Sequence, residues 1–484
     1  MFALKVYLIT FLSCVCFIAN GQMSDIISPQ TFSTLHADST PSTPGWIKVR
    51  SIIISGNKKT KDYVIKREMT AKVGDSIEIN RLSERLQRMK ENIYNTTLFV
   101  KVSVEPYLIN AYECDLLVTV KERWYVFPLP QFELVDRSFD EWLTKYNGSL
   151  KRVNYGLKFV HYNFSGRKDQ LRLSIINGYT RNVSAYYNTP YVNKKLTNGF
   201  FIGAGYSQTK EIPYKTNYDN SLAFYSNGGF VKDSWFINAG YTVRHKINTT
   251  QVFSVGYTNV LVSDTVLSNR FNINYFNSLS QRQGIVDMAY TLQYAKVNNI
   301  LYPLTGKSFY ITFLKRGLGW REGVNMLSLE GEYNKFYSLG KKWYSSVQFT
   351  GKVKLPFRQP FINLRALGDR NDYLRGLEYS TIDGVAYTTA KFNLKREILN
   401  FSIPTFFKSK TYNKIPFRFF AKTFADFGYV YNRYQPSTQL NNKFLYTSGF
   451  GLDILTLYDL HIRLDYSFDQ LGRKRLSFSN KSGF

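Results

Sequence analysis

Cysteine is almost absent: three residues in 484, and two of them, Cys14 and Cys16, lie in the first apolar run. A chain that keeps only Cys114 after export has no internal disulfide, so burial or a membrane must stabilise it. Histidine is equally scarce. His36, His161, His245 and His461 are the four, and they fall into no Ser-His-Asx constellation. No metal-ligand cluster or Gly-rich phosphate loop accompanies them, which argues against an enzyme and calls for no metal and no cofactor. Beyond the N-terminus no apolar run reaches about 18 residues, so no transmembrane helix is expected. Acidic residues are also few, 35 Asp and Glu against 63 Lys and Arg, a net charge of +28.

What is present begins with an address. "MFALKVYLITFLSCVCFIANGQ" has Lys5, an apolar core from Val6 to Ile18, and small residues Ala19 and Gly21 before Gln22. Residues 1–21 therefore read as a secretory signal peptide. The apolar run continues past both cysteines, against a lipoprotein signal. In an exported chain the positive charge suits an anionic membrane surface or acidic partners. Nucleic acid is not expected, because Lys and Arg form no concentrated block. Residues 22–46, rich in Ser, Thr and Pro, read as a flexible tether.

Residues 47–122 then read as one small α+β domain of order β-α-α-β-β. "IKVRSIII" has strand character, and Thr60 is placed to cap a first helix over "KDYVIKREM". A second helix spans about Ile79 to Tyr94, with Leu82, Leu86, Met89 and Ile93 on one face. "LFVKVSVEPYL" and "CDLLVTVKERWYV" supply the last two strands.

From Pro128 the pattern changes. Strands of about ten residues recur between Gly, Asn or Ser turns. In "KWYSSVQFTGKVKL", Trp343, Val347, Phe349, Val353 and Leu355 share one face, opposite Lys342, Gln348, Thr350, Lys352 and Lys354. Apolar-out, polar-in alternation over such lengths signals a transmembrane barrel, and the 37 Tyr and 38 Phe fit its aromatic girdles. The fold class is thus mainly β: an antiparallel barrel of about 16 strands over residues 128–484, behind one α+β domain. The strand pattern is weakest from Lys232 to Ser278. Leu476, Phe478 and the terminal Phe484 share the lipid face of the last strand, so Phe484 is the expected C-terminal strand signal.

Counting turns back from a periplasmic C-terminus puts Leu471–Arg473 outside, Leu457–Tyr458 inside, Asn432–Lys443 outside and the link after Glu397 inside. The connection Pro356–Asp383 is then extracellular. Its "NDYLRGLEYSTIDG" carries Arg375 and Gly376. On the neighbouring strand "PFRFFAKTFADFGYVY", alternation turns Arg418, Lys422, Phe424, Asp426 and Gly428 to the lumen. A loop folded back into the pore would bring Arg375 to Asp426 as a bidentate ion pair, with Phe424 against the guanidinium. Gly376 would turn the tip and Gly428 would leave room.

"LRGLE", Leu374 to Glu378, resembles the Arg-Gly-aromatic loop tip of the BamA/TamA superfamily, and "FADFG", Phe424 to Gly428, resembles the strand motif that receives it. "GNKKTKDYVIKRE", "GD" and "YNTTLFVKVSV" are similar to a POTRA domain. The resemblance covers residues 47–484. It implies a loop-to-lumen lock of Arg375, Gly376, Glu378, Phe424, Asp426 and Gly428, and an outer-membrane location, against outer-membrane lipid and lipopolysaccharide, with the POTRA domain periplasmic. It also implies assistance to β-barrel insertion, or polypeptide translocation, with unfolded β-rich chains and accessory lipoproteins as partners. A two-partner-secretion-like pore or a passive anion-favouring channel is the alternative. Leu377 stands where the family has Phe or Tyr, only one POTRA unit is present, and Lys395 and Glu397 look exchanged.

Overall fold

Residues 45–134, 147–319, 323–368, 372–404, 414–433 and 437–481 are described by a computed structural model. The expected signal peptide, nearly all of the expected tether, and Phe484 lie outside them. The first unit contains β1 (Trp46–Ser55), α1 (Asp62–Lys66), β2 (Ser76–Glu78), α2 (Leu82–Tyr94), β3 (Phe99–Leu108) and β4 (Glu113–Glu122). Its sheet order is β2-β1-β4-β3, with β1 parallel to β4 and the other pairs antiparallel. Alternate residues point inward: Val49, Val64, Ile65, Met89, Ile93, Cys114, Leu116 and Val118 have no exposed surface. Burial of the free thiol Cys114 makes it a core residue.

Two local expectations are corrected. Thr60 does not cap α1: Lys61 holds that position without a side-chain cap. The Thr60 hydroxyl is buried instead, shared between Tyr125 Oη at 3.0 Å and Asn163 Nδ2 at 2.9 Å. The helix is also only five residues long, and Arg67 and Glu68, just past its end, reach partners outside the unit. The second helix opens with a 3₁₀ turn, Ile79–Arg81, before α2.

Sixteen antiparallel strands follow in one sheet. The first eight are β5 (Val126–Leu134), β6 (Val153–Tyr162), β7 (Gln170–Gly178), β8 (Thr180–Thr189), β9 (Asn198–Thr209), β12 (Lys232–Val243), β13 (Thr249–Val262) and β14 (Arg282–Val297). The others are β15 (Gly306–Arg316), β16 (Met326–Gly340), β17 (Trp343–Leu355), β20 (Ala386–Pro404), β21 (Lys414–Tyr431), β22 (Phe444–Leu455), β23 (His461–Asp469) and β24 (Lys474–Lys481). Two small hairpins stand apart in the connections, β10 (Ile212–Thr216) with β11 (Leu222–Tyr225) and β18 (Arg365–Leu367) with β19 (Ile382–Asp383). The sheet rolls into a barrel: Tyr302, between β14 and β15, reaches Asp453 on β22, five strands away in the order. Apolar residues such as Ile237, Val255, Phe313, Leu329 and Phe349 are exposed on the outside, as a lipid-facing surface requires.

The stretch from Lys232 contains two well-registered strands, β12 and β13. Their alternation fails at one end for a physical reason. Val260 and Val262 are buried with Val266, Leu267, Tyr275 and Phe276 under a cluster of long connections, so both faces are covered there. The sequence from Asp264 to Gln281 is connection rather than strand. β20 also overruns the turn expected after Glu397, continuing to Pro404.

Candidate functional site

The connection between β17 and β20 is not structureless. After a single helical turn, α3 (Phe361–Leu364), the β18–β19 hairpin closes its base, and Leu374 and Leu377 are buried at its tip. Both leucines belong to an apolar cluster with Ile382, Tyr387, Val430 and Leu445. That burial holds the tip in the lumen and leaves Arg375 pointing at β21. Gly376 has φ +91, and a Cβ there would meet the Ser467 Oγ at 3.1 Å, so the position suits glycine twice over. The Gly376 amide donates to Glu378 Oε1 at 2.9 Å, and Leu377 N donates to Leu374 O at 2.9 Å.

Arg375 makes a two-pronged pair with Asp426. Its Nε donates to Oδ2 at 2.9 Å, its backbone amide donates to the same oxygen at 3.0 Å, and Nη2 donates to Oδ1. Nη1 donates to Asn393 Oδ1 on β20, and that amide donates in turn to Ser346 Oγ at 3.1 Å. The guanidinium lies 3.9 Å from the Phe424 ring centroid. Asp426 has no exposed surface and Arg375 retains 7%. A Cβ at Gly428 would stand 3.1 Å from Leu374 Cδ1, so a side chain there would push the tip away. Leu377 does not replace an aromatic contact to the arginine; Phe424 makes that contact, and Leu377 fills the apolar cluster.

A second inward carboxylate escaped the sequence reading. Asp453 on β22 accepts from Lys422 Nζ at 2.6 Å, Lys395 Nζ at 3.0 Å and Tyr302 Oη at 2.8 Å, and Lys422 also pairs with Asp465 at 2.6 Å. Lys395 and Glu397 do not pair with each other: Lys395 serves Asp453, while Glu397 accepts from Arg418 Nη2 at 2.6 Å. Alternation in "FGLDIL" turns Asp453 inward as it does Asp426, and that was its available signal. Tyr302 sits in a connection and had none.

Residues 47–123 match the family described as POTRA: Surface antigen variable number repeat. No match was found among curated proteins. Among solved structures the chain is similar to BamA from Haemophilus ducreyi lacking POTRA domains 1–3, at 16% identity and TM-score 0.48, over 90% of this chain and 84% of that one. It is similar to CdiB from Acinetobacter baumannii at 13% and 0.45, over 90% and 73%. CdiB from Escherichia coli matches at 11% and 0.47, over 92% of each chain. The N-terminal unit is a POTRA domain. Followed by a barrel with an apolar exterior, it gives the chain the architecture of one POTRA domain before a membrane-spanning β-barrel: an outer-membrane barrel with its POTRA domain in the periplasm.

The POTRA domain is seated on the periplasmic turns of the barrel. Glu68, 1% exposed, receives Arg244 through Nη1 to Oε1 at 2.5 Å and Nη2 to Oε2 at 2.8 Å, while Tyr191 Oη donates to it at 2.9 Å. Arg67 donates to the carbonyls of Leu196 and Arg244. On the far side, Tyr94 Oη donates to Asp459 Oδ2 at 2.9 Å, and Asn95 bonds both Val297 O and Ile300 N. These contacts touch the turns after β8, β12, β14 and β22. The Arg244 guanidinium and the Tyr191 hydroxyl hold the Glu68 carboxyl below its ordinary range against its burial. Lys168, in the turn after β6, is pushed down to about 8 by burial, with Arg244 adding to the effect.

Proposed function

We propose that this protein assists the insertion of β-barrel polypeptides into the outer membrane or their passage across it. The observation that carries the reading is the buried Arg375–Asp426 pair, which fixes an extracellular loop inside the lumen beside strands β20 to β23. The anchored loop occupies lumen that an open small-solute path would leave to water. The POTRA sheet supports the same reading: β3 is an edge strand of ten residues, open to an incoming extended segment on its outer side. Strand addition there needs backbone hydrogen bonds rather than a fixed sequence. Pro106 interrupts the donor row near its end, so the usable edge runs from Phe99 to Glu105. The test is reconstitution: vesicles carrying the protein should fold an added unfolded barrel polypeptide faster than empty vesicles. Equal folding rates in the two would refute the insertion role.

A further inference from the structure

Strands β20 and β21 are 19 and 18 residues long, whereas their neighbours β17 and β22 have 13 and 12. The excess lies at the periplasmic end. Pairing with β17 stops at Arg396 and pairing with β22 stops at Arg418, while β20 and β21 stay paired as far as Pro404 and Lys414. A two-stranded ribbon therefore projects past the barrel wall. A register shift between Glu397 and Leu399 marks its root, and a bulge of this kind bends the strand.

The ribbon has two unlike faces. Leu399, Phe401 and Ile403 lie opposite Phe419, Phe417 and Ile415, and Phe401 stacks on Phe417 and Phe419 with centroids 5.8 Å apart. Leu399, Phe401 and Ile403 are 53%, 41% and 47% exposed. Asn400, Ser402, Pro416 and Arg418 make the other face. The apolar face continues, on the same alternation, the lipid-facing side of β21 that carries Phe427 and Tyr429. From Ile415 to Tyr429 that stripe rises ~35 Å at ~3.3 Å per residue and ~40° tilt. An outer-membrane apolar band is ~25 Å tall, so about 10 Å of apolar face remains beyond it.

Arg396 lies 5.3 Å from the Trp343 ring, a cation-and-tryptophan pair of the kind that sits at a membrane–water boundary. Beyond it the ribbon edges have no strand neighbour among the described residues, and such edges need water, which excludes the hydrocarbon core. Pro404, Pro416 and Lys414 discourage addition of a further strand. The geometry points to phospholipid of the periplasmic leaflet as the occupant: the ribbon lies in the headgroup–acyl boundary with Leu399, Phe401 and Phe417 toward the acyl chains. Immersion of ~5–10 Å is what interfacial elements reach, and it matches the excess.

Spin labels test this in the full protein, reconstituted in phosphatidylethanolamine–phosphatidylglycerol vesicles with Cys114→Ala as background. Labels at Phe401→Cys and Ile403→Cys should collide with oxygen more often, and with a water-soluble nickel chelate less often, than one at Ser402→Cys, approaching the values of a label at Phe427→Cys. A label at Ser402→Cys should collide freely with nickel. Free nickel access at Phe401→Cys would place the ribbon in water and overturn the proposal. Low access to both reagents would mean a protein covers the face, and would overturn it too. Each variant is scored only after heat-modifiable migration shows a folded barrel.

Discussion

Asp426 accepts three hydrogen bonds from one residue of a loop that leaves the barrel at the other side of the membrane. Removing one partner of such a buried pair strands a charge, at a cost on the order of 3–5 kcal/mol, less where lumen water reaches it. Arg375→Ala and Asp426→Ala should each expose the loop to added protease in intact vesicles. The double mutant should be less exposed than the sum of the two, since it leaves neither charge alone. Strictly additive exposure would mean the pair contributes nothing of its own. Asn393→Ala removes a neutral partner and should have the smaller effect, because a hydrogen bond to a charged group contributes only about 1.5–3 kcal/mol.

At the scale of elements, the POTRA domain is held on the barrel through Lys59, Thr60, Arg67, Glu68, Tyr94 and Asn95, and the Glu68–Arg244 pair is its buried charged contact. Glu68→Ala leaves Arg244 buried against Tyr191 without its carboxylate, so the domain should detach more readily. Faster amide exchange in the turns at 190–197 and 244–248 would register it, and unchanged protection there would refute the latch. Lys168 adds a pH dependence. Burial brings its value to about 8 from an ordinary 10.5, so a docked state that buries it binds fewer protons than a free state that exposes it. The docked state should therefore gain stability as pH rises from about 8 toward 10.5, and lose nothing further below 8. In Lys168→Met the gain should vanish from exchange rates measured across that range.

These elements differ in how far the sequence betrayed them. β17 and β23 alternate cleanly because one face meets lipid and the other meets lumen, so their period is readable. β13 hides its outer end because Val260 and Val262 are covered on both sides. Arg375 and Asp426 were legible because a charged residue in a loop and an inward carboxylate on a strand each call for a partner. Glu68 was not, since a glutamate in a basic helical stretch reads as solvated. Its partner Arg244 lies 176 residues away, in a turn of the barrel on which the POTRA domain sits.

The whole molecule bears on whether the lumen conducts. Three structures lie across the route: the Arg375 loop, the Tyr302 bridge to Asp453, and the POTRA domain against the periplasmic turns. The long connections that bury Val266, Tyr275 and Phe276 stand at the extracellular end. A passive anion-favouring channel needs a continuous water path lined by its cations, yet Lys395 and Lys422 are spent on Asp453 and Asp465. In planar bilayers the intact protein should therefore show small, infrequent openings. Arg375→Ala should lengthen them, because the loop loses its charged anchor while Leu374 and Leu377 still favour the buried position. Glu68→Ala together with Arg375→Ala should open the pore further than either alone, since each change loosens a different obstruction. A steady, large conductance in the intact protein, indifferent to both substitutions, would overturn the insertion reading in favour of a channel.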